Sequence, residues 1–522
     1  MKKQTKLVAT LSTAALLALG FSAVSMAAGW DNSTGVWRYL NNDGTEVVDE
    51  WKSANGNWFY LDSDGVMATD KLIEDESGSK GTKYYYVDQY GAMVKNTWKA
   101  VAMDDDDNTD LDAEYWWYYF GSDGKAYTIA DDAAITKSKV KTINGLKYAF
   151  DAEGHMLYGW TLADEGNHAQ TDDDEHRWED AKYYFNGWND GHAQTGWAQI
   201  AVTDDDDETQ NYWFYFNSDG EKQANKRKKI NGVYYVFAAD GHMVDEWVME
   251  TSKGTWSGTI AKKASAASIS YVNGDGAQRK NTWIWAIPDE KWIPEDYDND
   301  EYSWFYADKS GKLVSNQIKK INGKYYAFDE LGRMQTDFVQ DADTVKKIAG
   351  TDDYSRSQWI ENKDNKNNDI YDKDLDVYFF STDEEKDGAR KTGYQNIEMS
   401  DDTYQFYFQK NGEGKTQYDT KIKKYTIKGL ILKPSNDDDN NYAGITLDGE
   451  GKPVNITTDF NKMSGKILVN KQGTVVKNKT VKDENDHYYL TNGDGEVVQT
   501  ATDKDDYNKK KNDDKTWVVP EN

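Results

Sequence analysis

One short phrase recurs along this chain and restricts its fold more than any other feature. It consists of an aromatic run, a turn rich in Asp, Ser and Asn, a glycine, and often an apolar residue two positions later. The clearest copy is Trp58-Phe59-Tyr60-Leu61-Asp62-Ser63-Asp64-Gly65-Val66-Met67. Others run from Tyr84 to Met93, Trp117 to Ala126, Lys147 to Met156, Trp213 to Lys222, Tyr234 to Met243, Trp304 to Leu313 and Tyr325 to Met334. Aromatic residues favour strands, and successive strand residues point to opposite faces. Trp58 and Tyr60 are therefore predicted on one face, with Phe59 and Leu61 on the other. The polar cluster makes a turn whose glycine supplies a positive φ. A lone hairpin cannot bury an aromatic face, so each copy must stack on its neighbours. The expected fold class is all-β: a repeat solenoid of stacked β-hairpins with long acidic β-arm insertions and a diverged, β-rich C-terminal region.

Composition agrees with this. Only 38% of residues are apolar, yet 14% are aromatic, with 20 Trp and 36 Tyr. Such a chain lacks material for one large aliphatic core but has enough for many small aromatic contacts. A longer block also repeats from Trp117, Trp213 and Trp304: an aromatic hairpin, Lys-rich residues, Ile-Asn-Gly at Ile143, Ile230 and Ile321, then a second aromatic hairpin. Past about residue 345 the pattern weakens. The expected organisation is a signal peptide over 1–27, repeats over 28–345, degenerate repeats over 346–420, atypical hairpins over 421–503, and a mobile charged tail over 504–522.

The signal peptide is read from Lys2, Lys3 and Lys6, the apolar run that starts at Leu7, and the small residues Ser25, Ala27 and Ala28. Its removal takes three positive charges and no negative ones, so the formal charge moves from −30 to −33. That surface argues against nucleic acid or anionic lipid as partner. No later segment is apolar enough to span a bilayer. With no cysteine, disulfides and thiol catalysis are both excluded.

Acidic runs interrupt the repeats at Asp104–Asp107, Asp204–Asp207 and Glu295–Glu301. Like charges repel, so these are expected to be solvated loops or arm tips. Asp296, Asp298 and Asp300 have EF-hand spacing, but Glu301 stands where the loop needs glycine. His155 and His242 share one slot of the repeat, which reads as structural. His168, Asp172–Asp174 and His176 fit no helical zinc spacing. No metal site, cofactor or catalytic residue is expected, since no carboxylate pair stands out from so many.

The copies resemble the cell-wall-binding repeats of Gram-positive surface proteins, known as choline-binding repeats. They are also similar to the glucan-binding repeats of extracellular glucosyltransferases and of clostridial toxin receptor-binding regions. The resemblance rests on Trp51, Trp58-Phe59-Tyr60-Leu61 and Gly65-Val66-Met67, and on the pairs Gly159-Trp160 and Gly196-Trp197. It implies ligands held between consecutive hairpins in aromatic boxes. A quaternary ammonium donates no hydrogen bond, and ring faces hold it at ~0.5–2 kcal/mol each. By that resemblance the best box uses Trp51 and Trp58 with Tyr86 of the next hairpin, and Met67 as its floor. Elsewhere the leading Trp lies far from the next aromatic triplet, and Ile143, Ile230 and Ile321 stand where a leading Trp is expected. Most other boxes should therefore be incomplete.

The expected function is that of a secreted, non-catalytic surface protein, retained non-covalently by a Gram-positive cell. Its partner would be choline-decorated teichoic acid or a glucan-type polysaccharide. The end of the chain, Val518-Val519-Pro520, has no hydrophobic tail, so retention is expected to come from binding. The second expectation is an adhesin or structural spacer whose acidic arms contact host material or calcium; the third is a cell-wall hydrolase.

Overall fold

The computed structural model describes residues 28–76, 81–103, 115–129, 134–162, 176–203, 208–341, 343–349, 354–361, 374–382, 388–435, 440–513 and 517. The signal-peptide segment, both four-Asp runs and the His168 to Asp174 stretch lie outside these residues. The chain divides into two compact units, residues 1–223 and 224–522, and the boundary falls inside the expected 28–345 array. The described structure is all-β, with helices no longer than Arg356–Glu361. Among the described residues no helix is long and apolar enough to cross a membrane.

The first unit is a succession of two-stranded antiparallel hairpins. Their strands are Gly29–Asp31 with Arg38–Leu40, Glu50–Ala54 with Asn57–Leu61, Lys71–Asp75 with Lys83–Val87, and Thr97–Ala102 with Tyr115–Phe120. Lys141–Ile143 with Leu146–Tyr148, Gly159–Thr161 with Tyr183–Phe185, and Gly196–Thr203 with Thr209–Phe216 follow. Alternation sorts the faces as predicted: Phe59 and Leu61 are fully buried, whereas Trp58 is 43% exposed.

In many of the repeats the turn after the hairpin is held by the side chain of its first residue. Asp62 Oδ1 accepts the backbone N–H groups of Asp64 and Val66, and Asp88 and Asn217 do the same in their turns. A short side-chain oxygen here replaces a backbone acceptor, which explains the Asp/Asn bias of the phrase.

The residue two past the turn glycine ties each hairpin to the one before it. The N–H of Met67 reaches the Trp37 carbonyl at 2.8 Å and that of Met93 reaches Trp58 at 2.9 Å. Ala126 to Tyr84, Met156 to Trp117, Ala193 to Lys147 and Lys222 to Lys182 continue the series. The methionine side chains run the other way. A Cβ on Gly91, where φ is +82°, would sit 2.8 Å from Met67 Cε, and one on Gly124 would sit 2.6 Å from Met93 Sδ. The Gly-x-Met phrase is thus a spacer: a methionine of one repeat fits under the bare glycine of the next.

The second unit repeats the device between Gln278 and Tyr234 and between Leu313 and Ile269. Its sheets are wider, up to five strands. Its largest core gathers Phe338, Trp359, Phe406, Leu430, Ile445 and Val469. The stretch where aromatics thin out therefore supplies aliphatic residues to the biggest core of the unit.

Three expectations are corrected here. Ile143, Ile230 and Ile321 do not take the place of a leading Trp; they sit buried at hairpin tips, paired with Leu146, Val233 and Lys324. The Glu295 to Glu301 stretch is not merely a solvated loop. It carries the short helix Pro294–Asp298, and Asp296 is buried in an ion pair with Arg333 at 3.1 Å. Nor do residues 504–513 and 517 form a loose tail. Lys504–Asn508 is helical, capped by the Asp503 side chain, and Tyr507 stacks on Tyr488 at 4.5 Å and meets buried Trp517 edge-on at 5.1 Å. Charge content hid the two aromatic anchors that dock this segment.

Candidate functional site

Trp51 starts one strand of its hairpin and pairs directly with Tyr60 on the other, while Ser53 pairs with Trp58. All four share a face. The Trp51 and Tyr60 rings lie 5.2 Å apart, and Tyr85 of the next hairpin comes within 5.0 Å of Trp51. Burial first, and then Asp49 and Asp75, raise the Tyr60 phenol above its ordinary range. Tyr85 is raised by burial, with Lys125 opposing and Asp75 and Asp123 adding. The cluster therefore keeps neutral rings inside a negative surround, which favours a cation at the ring faces.

Of the sequence-predicted residues, Trp51 and Trp58 lie on one face of this cluster. Tyr86 does not join them. It is buried on the opposite face of its strand, against Phe120, and its hydroxyl donates to Asp70 at 2.7 Å. Adjacent strand positions face opposite ways, so a choice one residue off reaches the wrong side. The residue that meets Trp51 is Tyr85. Met67 packs its thioether against Gly91 as a spacer between the hairpins.

The same constellation is complete at Trp98 and Trp283, where the long spacing led to incomplete boxes being expected. A full cluster takes a leading Trp, the seventh and fifth residues before the turn glycine, and the sixth residue before the next turn glycine. Trp98 thus shares a face with Trp117 and Tyr119, with Tyr119 at 5.1 Å and Tyr148 of the next hairpin at 4.8 Å. Trp283 meets Trp304 at 6.1 Å, Tyr306 at 5.2 Å and Tyr326 at 4.8 Å. Trp30 meets Trp37, Tyr39 and Phe59 at 6.5, 5.4 and 5.3 Å. The long spacings that seemed to displace these leading tryptophans are insertions between paired strands. Register restores the cluster. Counting back from each turn glycine, rather than forward from each Trp, would have found them.

Two clusters are different. Trp160 meets Tyr184 and Phe214 at 4.7 and 5.1 Å, but Lys182 stands where Trp58 stands in its own cluster. The ammonium of buried Lys222 lies 5.4 Å over the Trp160 ring and donates to the carbonyls of Trp178 and Glu179. Trp247 meets Tyr271 and Phe305, with Ile269 in place of the exposed Trp, and Trp292 of the following insertion packs 5.6 Å from it. Both are filled from within the chain.

His155 and His487 are structural. His155 stacks on Trp116 at 4.2 Å with Nδ1 on Asp151, and His487 stacks on Phe460 at 4.0 Å with Nδ1 on Asp483. Asp151, Glu153 and His155 bring ligand-type atoms within 4.8 Å, but His155 Nδ1 already belongs to the Asp151 turn.

Comparison with known proteins fits this geometry. Residues 47–98, which hold the whole Trp51 cluster, match the choline-binding repeat, and residues 117–126 and 208–222 match the cell wall binding repeat. The chain carries choline-binding-type repeats. Over 257 residues, 49% of this chain, it is 28% identical to glucosyltransferase-S of Streptococcus mutans, and over 333 residues it is 26% identical to glucosyltransferase-I of Streptococcus downei. The aligned regions span 13% and 17% of those two enzymes. Among solved structures, CbpJ of Streptococcus pneumoniae is 16% identical with a TM-score of 0.35, over 60% of this chain and 95% of that one. The choline-binding-type repeats fit a binding role, for a cell-wall or glucan polymer.

Proposed function

We propose that this chain is a secreted, non-catalytic protein that holds a choline-decorated polymer of the Gram-positive cell envelope through several aromatic boxes. The observation that supports it is the Trp51 cluster: Trp51 meets Tyr60 and Tyr85, Trp58 stands 43% exposed on the same face of the hairpin, and carboxylates lie nearby. The clusters at Trp98 and Trp283 are further candidates, and Trp30 carries a Phe in place of the last Tyr. The Trp160 cluster is closed to choline by Lys222. Each box offers rings without an ionic partner, so affinity per site is near millimolar, about −4 kcal/mol. Several sites on one chain raise avidity for a polymer by ~10²–10⁴.

The test is calorimetric and fluorescence titration with choline. Trp58→Ala, Trp117→Ala and Trp304→Ala should each remove part of the response, and the triple variant most of it. No response in the unaltered chain would overturn the choline reading. The similarity to two glucosyltransferases makes a neutral glucan the second reading, since sugars also stack on open ring faces. An isomaltose titration that choline does not compete would support it. Release of the protein from cells by chelator rather than by choline would favour the calcium-arm reading.

A further inference from the structure

The insertion between Ala286 and Ser303 does more than plug the Trp247 cluster. It builds a pocket of about 540 Å³, which shares Trp247 and Tyr271 with that filled cluster and adjoins the Trp283 box, where Trp285 pairs with Trp304 at 4.9 Å. One wall is aromatic. Trp285 and Tyr302 stack at 5.6 Å with planes 21° apart, and Tyr297 stands next to them. These three are about half exposed, at 48%, 53% and 46%. The other wall is acidic: Asp245, Glu246, Asp289 and Glu290 line it, and no lysine, arginine or histidine does. None of the four carboxylates forms an ion pair among the described residues. Their field reaches inward: after burial, Glu246 and Asp245 are the next causes that raise the Tyr271 phenol.

The pocket is also held in shape. Trp247 Nε1 donates to the Ile287 carbonyl at 2.8 Å, Trp292 Nε1 to Ala264 at 3.2 Å, and Arg333 pairs with Asp296 of the short helix. Glu246 itself is informative. It has φ +60°, in the place where Gly159 and Gly196 precede their tryptophans. A side chain there is strained and a glycine is not. The chain keeps a carboxylate at a position where a glycine would suit the backbone better.

We propose that this pocket binds an aliphatic polyamine, a flexible chain with more than one protonated nitrogen. Its ammonium groups would donate hydrogen bonds to the carboxylates, and its methylenes would lie along Trp285 and Tyr302. A quaternary ammonium cannot donate hydrogen bonds to the carboxylates. A neutral sugar can donate its hydroxyls to them and stack on the rings, but it brings no charge to neutralise four carboxylates without ion-pair partners.

The experiment is titration of the full chain with spermidine in saturating choline, which fills any box that binds choline. Spermidine should bind at least tenfold more tightly than choline does at the same pocket. Trp285→Ala and Glu246→Gly should each weaken it about tenfold. Glu246→Gly relieves strain, so a loss of binding with unchanged or higher melting temperature is diagnostic. Glu450→Gln removes the same charge from an exposed turn and should leave binding unaltered. The proposal is overturned if Glu450→Gln weakens binding as much as Glu246→Gly, which would mean diffuse attraction to an acidic surface. It is also overturned if isomaltose or calcium competes with spermidine. Glu246 is not a ring residue of any box, so its variant assigns the binding to the pocket whether or not the boxes bind choline.

Discussion

The Trp51 and Trp160 clusters have one framework and opposite contents. In each, a leading Trp pairs across the hairpin with a Tyr and meets an aromatic ring of the next hairpin at about the same distance. In each, the residue two past the next turn glycine returns a backbone hydrogen bond, Met93 to Trp58 and Lys222 to Lys182. The difference lies in two side chains. Where Trp58 stands open, the slot residue is methionine and packs onward against Gly124. Where Lys182 replaces that Trp, the slot residue is Lys222, and its ammonium sits on the Trp160 face. The Trp247 cluster repeats the rule with Ile269 and Trp292. A cluster that loses its exposed Trp is filled from within. An aromatic face is costly to leave half-wetted without a ligand, and the chain supplies its own cation or ring.

The hardest test of that comparison is Lys222→Ala. It removes a buried ammonium that satisfies two carbonyls and a ring face. Charged hydrogen bonds of this kind contribute about 1.5–3 kcal/mol, so unfolding in urea should show a loss of about 2–3 kcal/mol. Trp58→Ala, which strips an exposed ring, should cost less than ~1 kcal/mol while reducing the choline response. Equal stability losses for the two variants would show that Lys222 is incidental to its cluster. Choline should not restore the Lys222→Ala variant, because a quaternary ammonium cannot donate to the carbonyls of Trp178 and Glu179.

A smaller effect tests the frame around the open cluster. Gly56 and Gly91 share a φ of +82°, but a Cβ on Gly56 meets nothing within 4 Å, whereas one on Gly91 meets Met67. Alanine at either position carries the left-handed backbone cost of about 1–2 kcal/mol. Gly91→Ala should cost roughly 1 kcal/mol more, from overpacking. In a Met67→Ala background that excess should shrink. If it persists, Met67 does not set the hairpin spacing, and its assignment as spacer rather than box floor is wrong.

The strand and turn pattern was legible because period-two alternation and turn chemistry are local. Trp58, Phe59, Tyr60 and Leu61 declare their faces without help from the rest of the chain. The site was legible only in part. Choosing Tyr86 over Tyr85 was an error of one residue, and parity along a strand turns one residue into the opposite face. The clusters at Trp98 and Trp283 were expected to be incomplete because insertions lengthen the gap between paired strands without changing their register. The C-terminal core was missed because Leu430, Ile445 and Val469 carry no aromatic signal. Lys222 could not be read as an internal ligand from sequence. Its slot follows from Gly220, but its side-chain direction depends on the absence of a Trp forty residues earlier, at Lys182.

The smallest expected effect concerns electrostatics. Both clusters hold a tyrosine whose phenol is raised, but for different reasons. Tyr60 is raised by burial together with Asp49, Asp75 and Asp62, whereas Tyr184 is raised by burial alone. Salt screens exposed charges beyond about 10 Å at 0.1 M and leaves desolvation in place. Raising salt should therefore lower the Tyr60 titration midpoint toward its ordinary value and leave that of Tyr184 where it is. Carbon-13 shifts of labelled tyrosine, followed through alkaline pH at low and high salt, separate the two. A raised phenol adds stability that is present below the unfolded pKa near 10 and lost as pH climbs through the folded value. The chain should therefore lose stability on the alkaline side, and Tyr60→Phe should make that loss less steep. The same field acts on any cation at Trp51, so choline affinity there should fall with salt in step with the Tyr60 midpoint. If both tyrosines move together, or neither does, the carboxylates do not distinguish the open cluster from the filled one, and the preference of Trp51 for a cation over a neutral sugar loses its electrostatic basis.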